Sequence, residues 1–277
     1  MSWTFTAEVE PYARAVGPLL GADPAAHTIS LTVIETARAR RGEDELFGWW
    51  TDSDGAVTGA VSHTAPYPVL LGVVPDEAIR PLVDDLRATG RHVAGVNGNS
   101  DLAAQVAAIW ISVAGGRAML GAATRLFRLG RPIPPEPMPA GRARTATGTD
   151  TELLSCWIDA FHRDIGESRS ARRSVVDKLS FAGWTLWEDG DGVPVSVAGR
   201  GRLAAGVVRV APVYTPPEQR RHGYAAAATL AASQVALDAG AGEVVLFTDL
   251  TNPTSNGVYR RIGYVPVSDR TMFRFID

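Results

Sequence analysis

The sequence predicts an α+β fold, a mixed and mostly antiparallel sheet flanked by helices, arranged as two similar domains in tandem. Three observations carry that expectation. Strand and helix periodicities alternate so that a strand–helix–strand unit sits inside an antiparallel meander. Short segments of the first half recur in the second: Trp50-Thr51-Asp52-Ser53-Asp54-Gly55 is echoed by Trp187-Glu188-Asp189-Gly190-Asp191-Gly192, and Thr124-Arg125-Leu126-Phe127-Arg128-Leu129 by Arg270-Thr271-Met272-Phe273-Arg274-Phe275. Between the copies lies GRPIPPEPMPAG, with five of the chain's 18 prolines, which fixes backbone angles and removes amide donors. The expected division is therefore a domain over 1–130, a proline-rich linker over 131–141 and a second domain over 142–277.

In the second domain, Arg142 to Thr147 reads as a short strand and Asp150 to Asp164 as a helix, through Leu153, Leu154, Trp157, Ile158 and Phe161. A second helix is expected over about Ser170 to Phe181. Strands follow at Thr185–Glu188, Val193–Ala198 and Ala204–Val213 as a meander. An alanine-rich helix runs from about Tyr224 to Ala239 and stops at Gly240, the usual residue after a helix C-terminus. A strand at Glu243–Thr248, a helix at Pro253–Ile262 and a last strand from Tyr264 complete it. The first domain shows a hairpin at Phe47–His63, a strand at Val69–Val74, a helix at Glu77–Thr89 and a strand at His92–Val96. The offset between matching residues is 137 at Asp54 and Asp191 but 146 at Arg128 and Arg274, so the second copy is longer by about nine residues.

Composition narrows the function classes. The chain has 277 residues, 45% of them apolar and 21% charged, with a net charge of −3. That balance offers no general attraction to nucleic acid or to an anionic membrane, so an anionic ligand must be met by a local patch. A single cysteine, Cys156, excludes an intramolecular disulfide and points to a reducing compartment, and with no signal-like or long apolar segment the expected location is cytoplasmic. Cys156 is expected on an apolar helix face, in the core. The five histidines lack ligand-like spacing, so no metal is expected.

One stretch departs from ordinary core patterning: TPPEQRRHGYAAAATLAASQ, Thr215 to Gln234, where a strand hands over to a helix. A helix start presents unpaired amides and the positive end of the helix dipole. Arg220, Arg221 and His222 add charge, Gly223 lets a ligand approach the backbone, and Ala225 keeps the first turn narrow, which together describe an anion site. It is not a Walker loop, because the only lysine, Lys178, is far away, and not a dinucleotide fingerprint, which needs three glycines.

Thr215-x-Pro217-x-x-Arg220-x-x-Gly223-x-Ala225 resembles the pyrophosphate loop of the GNAT superfamily, the acyl-CoA-dependent N-acetyltransferases. Asn252-x-x-Ser255-Asn256-x-x-Tyr259-x-x-x-Gly263-Tyr264 resembles that family's second element, in the right order and on the expected elements. The full signature covers 142–277. The first half lacks both motifs, reading VPDEAIRPL where the anion loop should be, and so looks like a degenerate copy. The resemblance implies that acetyl-CoA is the co-substrate and lies between two splayed parallel strands. Val213, Tyr214 and Thr215 would pair with its pantetheine arm, and Arg220, Arg221, His222, Gly223, Tyr224 and Ala225 would hold its pyrophosphate. Asn252, Ser255 and Asn256 would meet the cofactor at the strand exit, or Asn252 and Ser255 serve only to cap the helix that Pro253 starts. Tyr259 would protonate the departing thiolate.

The implied acceptor is a primary amine, on a small molecule or a peptide; no nucleic acid or membrane partner is implied, and monomer and homodimer stay open. Base candidates are Glu188, Asp189, Asp249 and His162, though a structural role, as a turn carboxylate or a half-buried helix histidine, suits each of them better. Arg169, Arg172, Arg173 and Lys178 lie where an acceptor pocket is usually shaped, though such a run also suits a solvated face. Two alternatives to the enzyme remain: a non-catalytic acyl-CoA-binding regulatory module, and an interaction protein working through its first half.

Overall fold

The structure, a computed structural model, describes residues 1–40, 45–166 and 170–276. Two compact units emerge: unit 1 comprises Met1–Leu126, Asp249–Thr251 and the residues from Val267 onward, and unit 2 comprises Phe127–Thr248 and Asn252–Pro266.

Unit 1 begins with β1 (Ser2–Thr6), α1 (Val9–Gly21), α2 (Thr28–Arg40), β2 (Glu45–Thr51), β3 (Val57–Thr64) and β4 (Val69–Val73). Next come α3 (Asp76–Ala88), β5 (Gly95–Asn99), α4 (Ser100–Ala114) and β6 (Arg117–Leu129), whose last three residues belong to unit 2. Neighbouring strands from β1 to β4 are antiparallel, β4 and β5 are parallel, and the last strand of the chain, β12 (Tyr264–Ile276), lies antiparallel on β5 from Arg270↔Asn99 to Arg274↔Gly95. The expected strand at His92–Val96 is displaced to Gly95–Asn99. Its partner is contributed by the far end of the chain, and local periodicity does not contain that information.

Unit 2 repeats the order: β7 (Arg142–Thr145), α5 (Thr151–Asp164), α6 (Arg172–Leu179), β8 (Trp184–Glu188), β9 (Pro194–Arg200), β10 (Val207–Tyr214), α7 (Tyr224–Asp238), β11 (Glu243–Asp249) and α8 (Pro253–Arg261) before β12. Strands β7 to β10 are antiparallel and β10 pairs with β11 in parallel. The short echoes have the same local structure in both units. Asp52 Oδ1 accepts from the amides of Asp54 and Ala56, and Asp189 Oδ1 from those of Asp191 and Val193. Gly55 and Gly192 close these turns at φ 83° and 81°, a region that favours glycine. The pairing register slips after Trp50 in one hairpin and after Trp187 in the other.

Each unit buries its own apolar residues. In unit 1, Trp50, Leu71, Leu82, Leu86 and Val96 pack under α3 and α4, while Tyr12, Leu20, Ile34 and Phe47 pack under α1 and α2. In unit 2, Val208, Val210, Val244 and Leu246 meet Ala228, Ala232 and Ala236 of α7; Leu154, Ile158, Trp184 and Val197 fill the α5 and α6 side. Trp50 is buried and Trp49 part-exposed, as alternation along a strand requires. Cys156 corrects an expectation: it is exposed, because the buried face of α5 runs through Leu154, Ser155, Ile158 and His162. Helices α1, α2 and α4 carry no distinct signal in the sequence reading. The proline-rich segment is fastened within unit 2: the Gly130 and Ile133 amides donate to the carbonyls of Gly263 and Ile262, and Trp187 Nε1 donates to that of Ala140.

Candidate functional site

Strands β10 and β11 pair only at Val207↔Glu243, Val208↔Val244 and Arg209↔Val245. Beyond that point β10 continues to Tyr214 with no strand partner on this side among the described residues. Its register on β9 slips between Val210 and Val213, across Ala211 and Pro212, and a bulge of this kind bends a strand and adds twist. Proline supplies no amide to a ladder, which suits it to the irregular stretch. The edge of β10 around Val213 is therefore free for a ligand. At the strand's exit the buried Ser196 Oγ donates to the Tyr214 carbonyl at 3.2 Å, and the Ser196 and Thr215 hydroxyls meet at 2.8 Å. Ser196 was missed by sequence reasoning, since a serine in a strand carries no signal of its own.

The chain then makes a short 3₁₀ turn at Pro217–Gln219 and enters α7 through Arg221 and Gly223, both at positive φ, 68° and 83°. The first helical hydrogen bond is from the Ala227 amide to the Gly223 carbonyl, at 3.1 Å. The amides of residues 221 to 226 make no hydrogen bond to a described residue. Six consecutive free donors at a helix N-terminus form a ready anion cradle. A Cβ built on Gly223 would point at Pro139, 3.7 Å away, an ordinary contact. The left-handed conformation at this position favours glycine.

Arg220 Nε donates to the Thr215 carbonyl at 3.0 Å, its Nη2 pairs with Asp164 at 2.8 Å, and its guanidinium lies 5.9 Å from the Tyr214 ring. Arg221 and His222 are exposed; His222 Nδ1 donates to the Gln219 carbonyl at 3.3 Å and its ring stacks on Tyr224 at 5.6 Å. Behind the loop, α7 presents Ala227, Ala228, Ala232 and Ala236 to the sheet, and only small side chains allow that close approach.

On α8, Asn252 Oδ1 accepts from the Ser255 amide at 3.0 Å, the helix-capping role, and the buried Asn256 donates from Nδ2 to the Asn252 carbonyl at 2.8 Å. Tyr259 lies between the rings of Phe127 and Tyr264, at 6.4 and 6.1 Å, and its hydroxyl makes no hydrogen bond to a described residue. Burial pushes its phenol up to about 12, so it is protonated at neutral pH. Val213, Tyr224 and Tyr259 all pack against one core cluster, which brings the end of β10, the start of α7 and the middle of α8 together.

The base candidates are otherwise engaged. Glu188 is buried between Arg144, at 2.5 Å, and Arg142, at 3.3 Å; the Arg144 guanidinium, then Arg142, hold its carboxyl below the usual range. Asp189 accepts the two turn amides named above, and Asp249 Oδ1 accepts from the amide and hydroxyl of Thr251, at 2.7 Å each. His162 is buried beside Phe161. Arg172 and Arg173 are exposed, Arg172 pairing with Glu152 at 2.6 Å, and Arg169 lies outside the described residues. Among the described residues no cluster could hold a metal ion, and no helix is long and apolar enough to cross a membrane.

Residues 151–264 match the model of the acetyltransferase (GNAT) family. No curated protein sequence matches the chain. Among solved structures it is similar to a GCN5-related N-acetyltransferase from Sphaerobacter thermophilus, at 18% identity and TM-score 0.62, over 98% of this chain and 95% of that one. An acetyltransferase of the GNAT family from Colwellia psychrerythraea matches over 100% of both chains, at 10% identity and TM-score 0.63. A GCN5-related N-acetyltransferase from Kribbella flavida matches 93% of this chain and 96% of its own, at 21% identity and TM-score 0.57. At these identities the likeness establishes the fold.

Proposed function

We propose that this chain, whose residues 151–264 match the acetyltransferase (GNAT) family model, transfers an acetyl group from acetyl-CoA to a primary amine by direct attack in a ternary complex. The observation that carries this reading is the run of unpaired amides at 221 to 226, set at the end of a strand whose edge is free, with the Tyr259 phenol packed on the same core. Acetyl-CoA, when bound, supplies the thioester carbonyl that the amine attacks. The amides of Arg221 to Ala226 take the pyrophosphate oxygens, Arg221 and His222 add charge from the exposed side, and the free edge of β10 at Val213 to Thr215 pairs with the pantetheine amides. Asn252, Ser255 and Asn256 act by holding the start of α8, and through it Tyr259.

Tyr259 Oη holds the proton that the leaving thiolate needs. A phenol near 12 protonating a thiol of pKa about 8.5 works uphill by about 3.5 pK units, roughly 5 kcal/mol. Its contribution is a hydrogen bond to the sulfur that strengthens as charge develops there, with complete transfer following from water. Glu188, Asp189 and Asp249 being engaged, the amine enters in its neutral form and loses its proton to solvent. That same observation favours a second reading, an acyl-CoA-binding module that does not turn over.

Incubating the protein with acetyl-CoA and a panel of primary amines while following thiol release separates the two. Release that depends on a particular amine supports the enzyme, whereas tight acetyl-CoA binding with no release for any amine supports the module. We read unit 1 as a duplicated copy that has lost the cofactor loop. The shared element order, the matching Asp-anchored turns and the register slip after Trp50 and Trp187 support this, and Pro75, Asp76 and Glu77 at the start of α3 offer an anion neither positive charge nor glycine.

A further inference from the structure

We propose that unit 1 holds a site of its own for a small monocarboxylate, formed by the guanidinium of Arg270 on β12 and the amides that open α2. Arg270 is only 8% exposed. Its Nη2 reaches the Asn97 carbonyl at a long 3.4 Å, its buried Nε has no hydrogen-bond partner, and no described carboxylate pairs with it. Burial alone pushes this guanidinium down to about 10. A buried charge without a counter-charge is costly, and an anionic ligand would supply the missing partner.

The strand pattern sets its direction. Phe273 and Phe275 pack into the core under α3 and α4, and the Thr271 hydroxyl meets that of Ser100, at the start of α4, at 2.8 Å. Arg270 alternates with them, so it lies on the other face, the side of α1 and α2. His27, immediately before α2, feels its charge: burial first, and then Arg270, hold the imidazole below its usual value against the opposing pull of exposed Asp23. In α2 the Thr28 amide donates to the Ala25 carbonyl and the Leu31 amide to that of His27, leaving the Ile29 and Ser30 amides without a described partner. The first turn of α2 holds no acidic residue. Beside it, β4 and β5 pair only at Val69↔Val96 and Leu70↔Asn97 and then separate. With His27 neutral near pH 7 the site carries one formal positive charge, which a monoanion balances and a dianionic phosphate would exceed. A planar carboxylate also matches the guanidinium fork.

Thermal unfolding of the full chain in sodium acetate, against sodium chloride at equal ionic strength and pH 7.5, tests this. Acetate should raise the Tm of the wild-type protein with the logarithm of its concentration. In Arg270→Met the part of the acetate effect that depends on Arg270 should vanish, while the Tm in chloride should exceed that of the wild type, because an unpaired buried charge is gone. The amides of residues 221 to 226 are unaltered in this variant, so any anion effect they cause persists in it. The proposal is overturned by an acetate effect that is absent from the wild type or equal in both proteins. It is overturned too if Arg270→Met is less stable in chloride or fails to fold, since the guanidinium would then be satisfied without a ligand. A larger shift from inorganic phosphate that Arg270→Met abolishes would refute the monocarboxylate assignment.

Discussion

Lys178, the only lysine in the chain, offers a quantitative test of the electrostatics of unit 2. Its ammonium donates to the Arg200 carbonyl at 2.9 Å and lies 5.7 Å from the Trp184 ring and 6.0 Å from that of Phe181. Burial, followed by the neighbouring Arg209, pushes its pKa down to about 8; Arg200 and Arg202 act in the same sense, and Asp177 is the carboxylate that opposes them. Against an unfolded value near 10.4, the shift of about 2.4 units corresponds to a penalty of roughly 3 kcal/mol for holding the charged form in the fold. The folded pKa lies below the unfolded one, so the penalty is complete below about pH 8 and fades as pH rises towards about 10.4. Lys178→Met keeps the aliphatic stem and removes the charge, at the loss of one hydrogen bond worth about 1 kcal/mol and a cation–π contact worth about 0.5–1 kcal/mol. The variant should be more stable than the wild type by roughly 1–2 kcal/mol at pH 7, and the advantage should disappear by about pH 10. Urea unfolding followed by tryptophan fluorescence at pH 7, 8, 9 and 10 measures it, and the wild-type-minus-variant difference cancels every other titrating group. A difference that does not change with pH, or a variant less stable at pH 7, would refute the reasoning.

Three further outcomes are expected. Tyr259→Phe should leave acetyl-CoA affinity unchanged and lower kcat by about 10²–10³, the usual loss for one transition-state donor; equal kcat in steady-state assays would remove Tyr259 from the mechanism. Gly223→Ala forces a left-handed conformation on a residue with a Cβ and should cost about 1 kcal/mol, a fall in Tm of about 2–4 °C, while weakening acetyl-CoA binding; calorimetry showing wild-type values for both would contradict the assigned loop geometry. Gly141→Ala would drive a Cβ into the Glu188 carbonyl at φ 114°, so the proline-rich segment should detach and become sensitive to limited proteolysis between residues 131 and 141; unchanged protection would show that the segment is held without that close approach.

Periodicity and turn chemistry made much of this protein legible from its sequence. The strands of unit 2, α7 and its start at Tyr224, and the paired Asp-Gly turns follow from local residue types, because helix and strand periods and left-handed glycines act over a few neighbours. The loop before α7 was legible for the same reason: its charge, its glycine and its alanines are contiguous. Tertiary structure alone decided what depends on distant partners. It paired Arg220 with Asp164, enclosed Glu188 between two arginines, and placed Ser196 at the exit of β10. It set β5 three residues later than its local pattern suggests and laid the last strand beside it in unit 1. It also buried Arg270, which the sequence shows only as one arginine in a repeated strand segment, with no counter-charge among the described residues. Those outcomes rest on desolvation and on pairing between residues more than 40 positions apart, or about 20 for Ser196, and no local pattern encodes them.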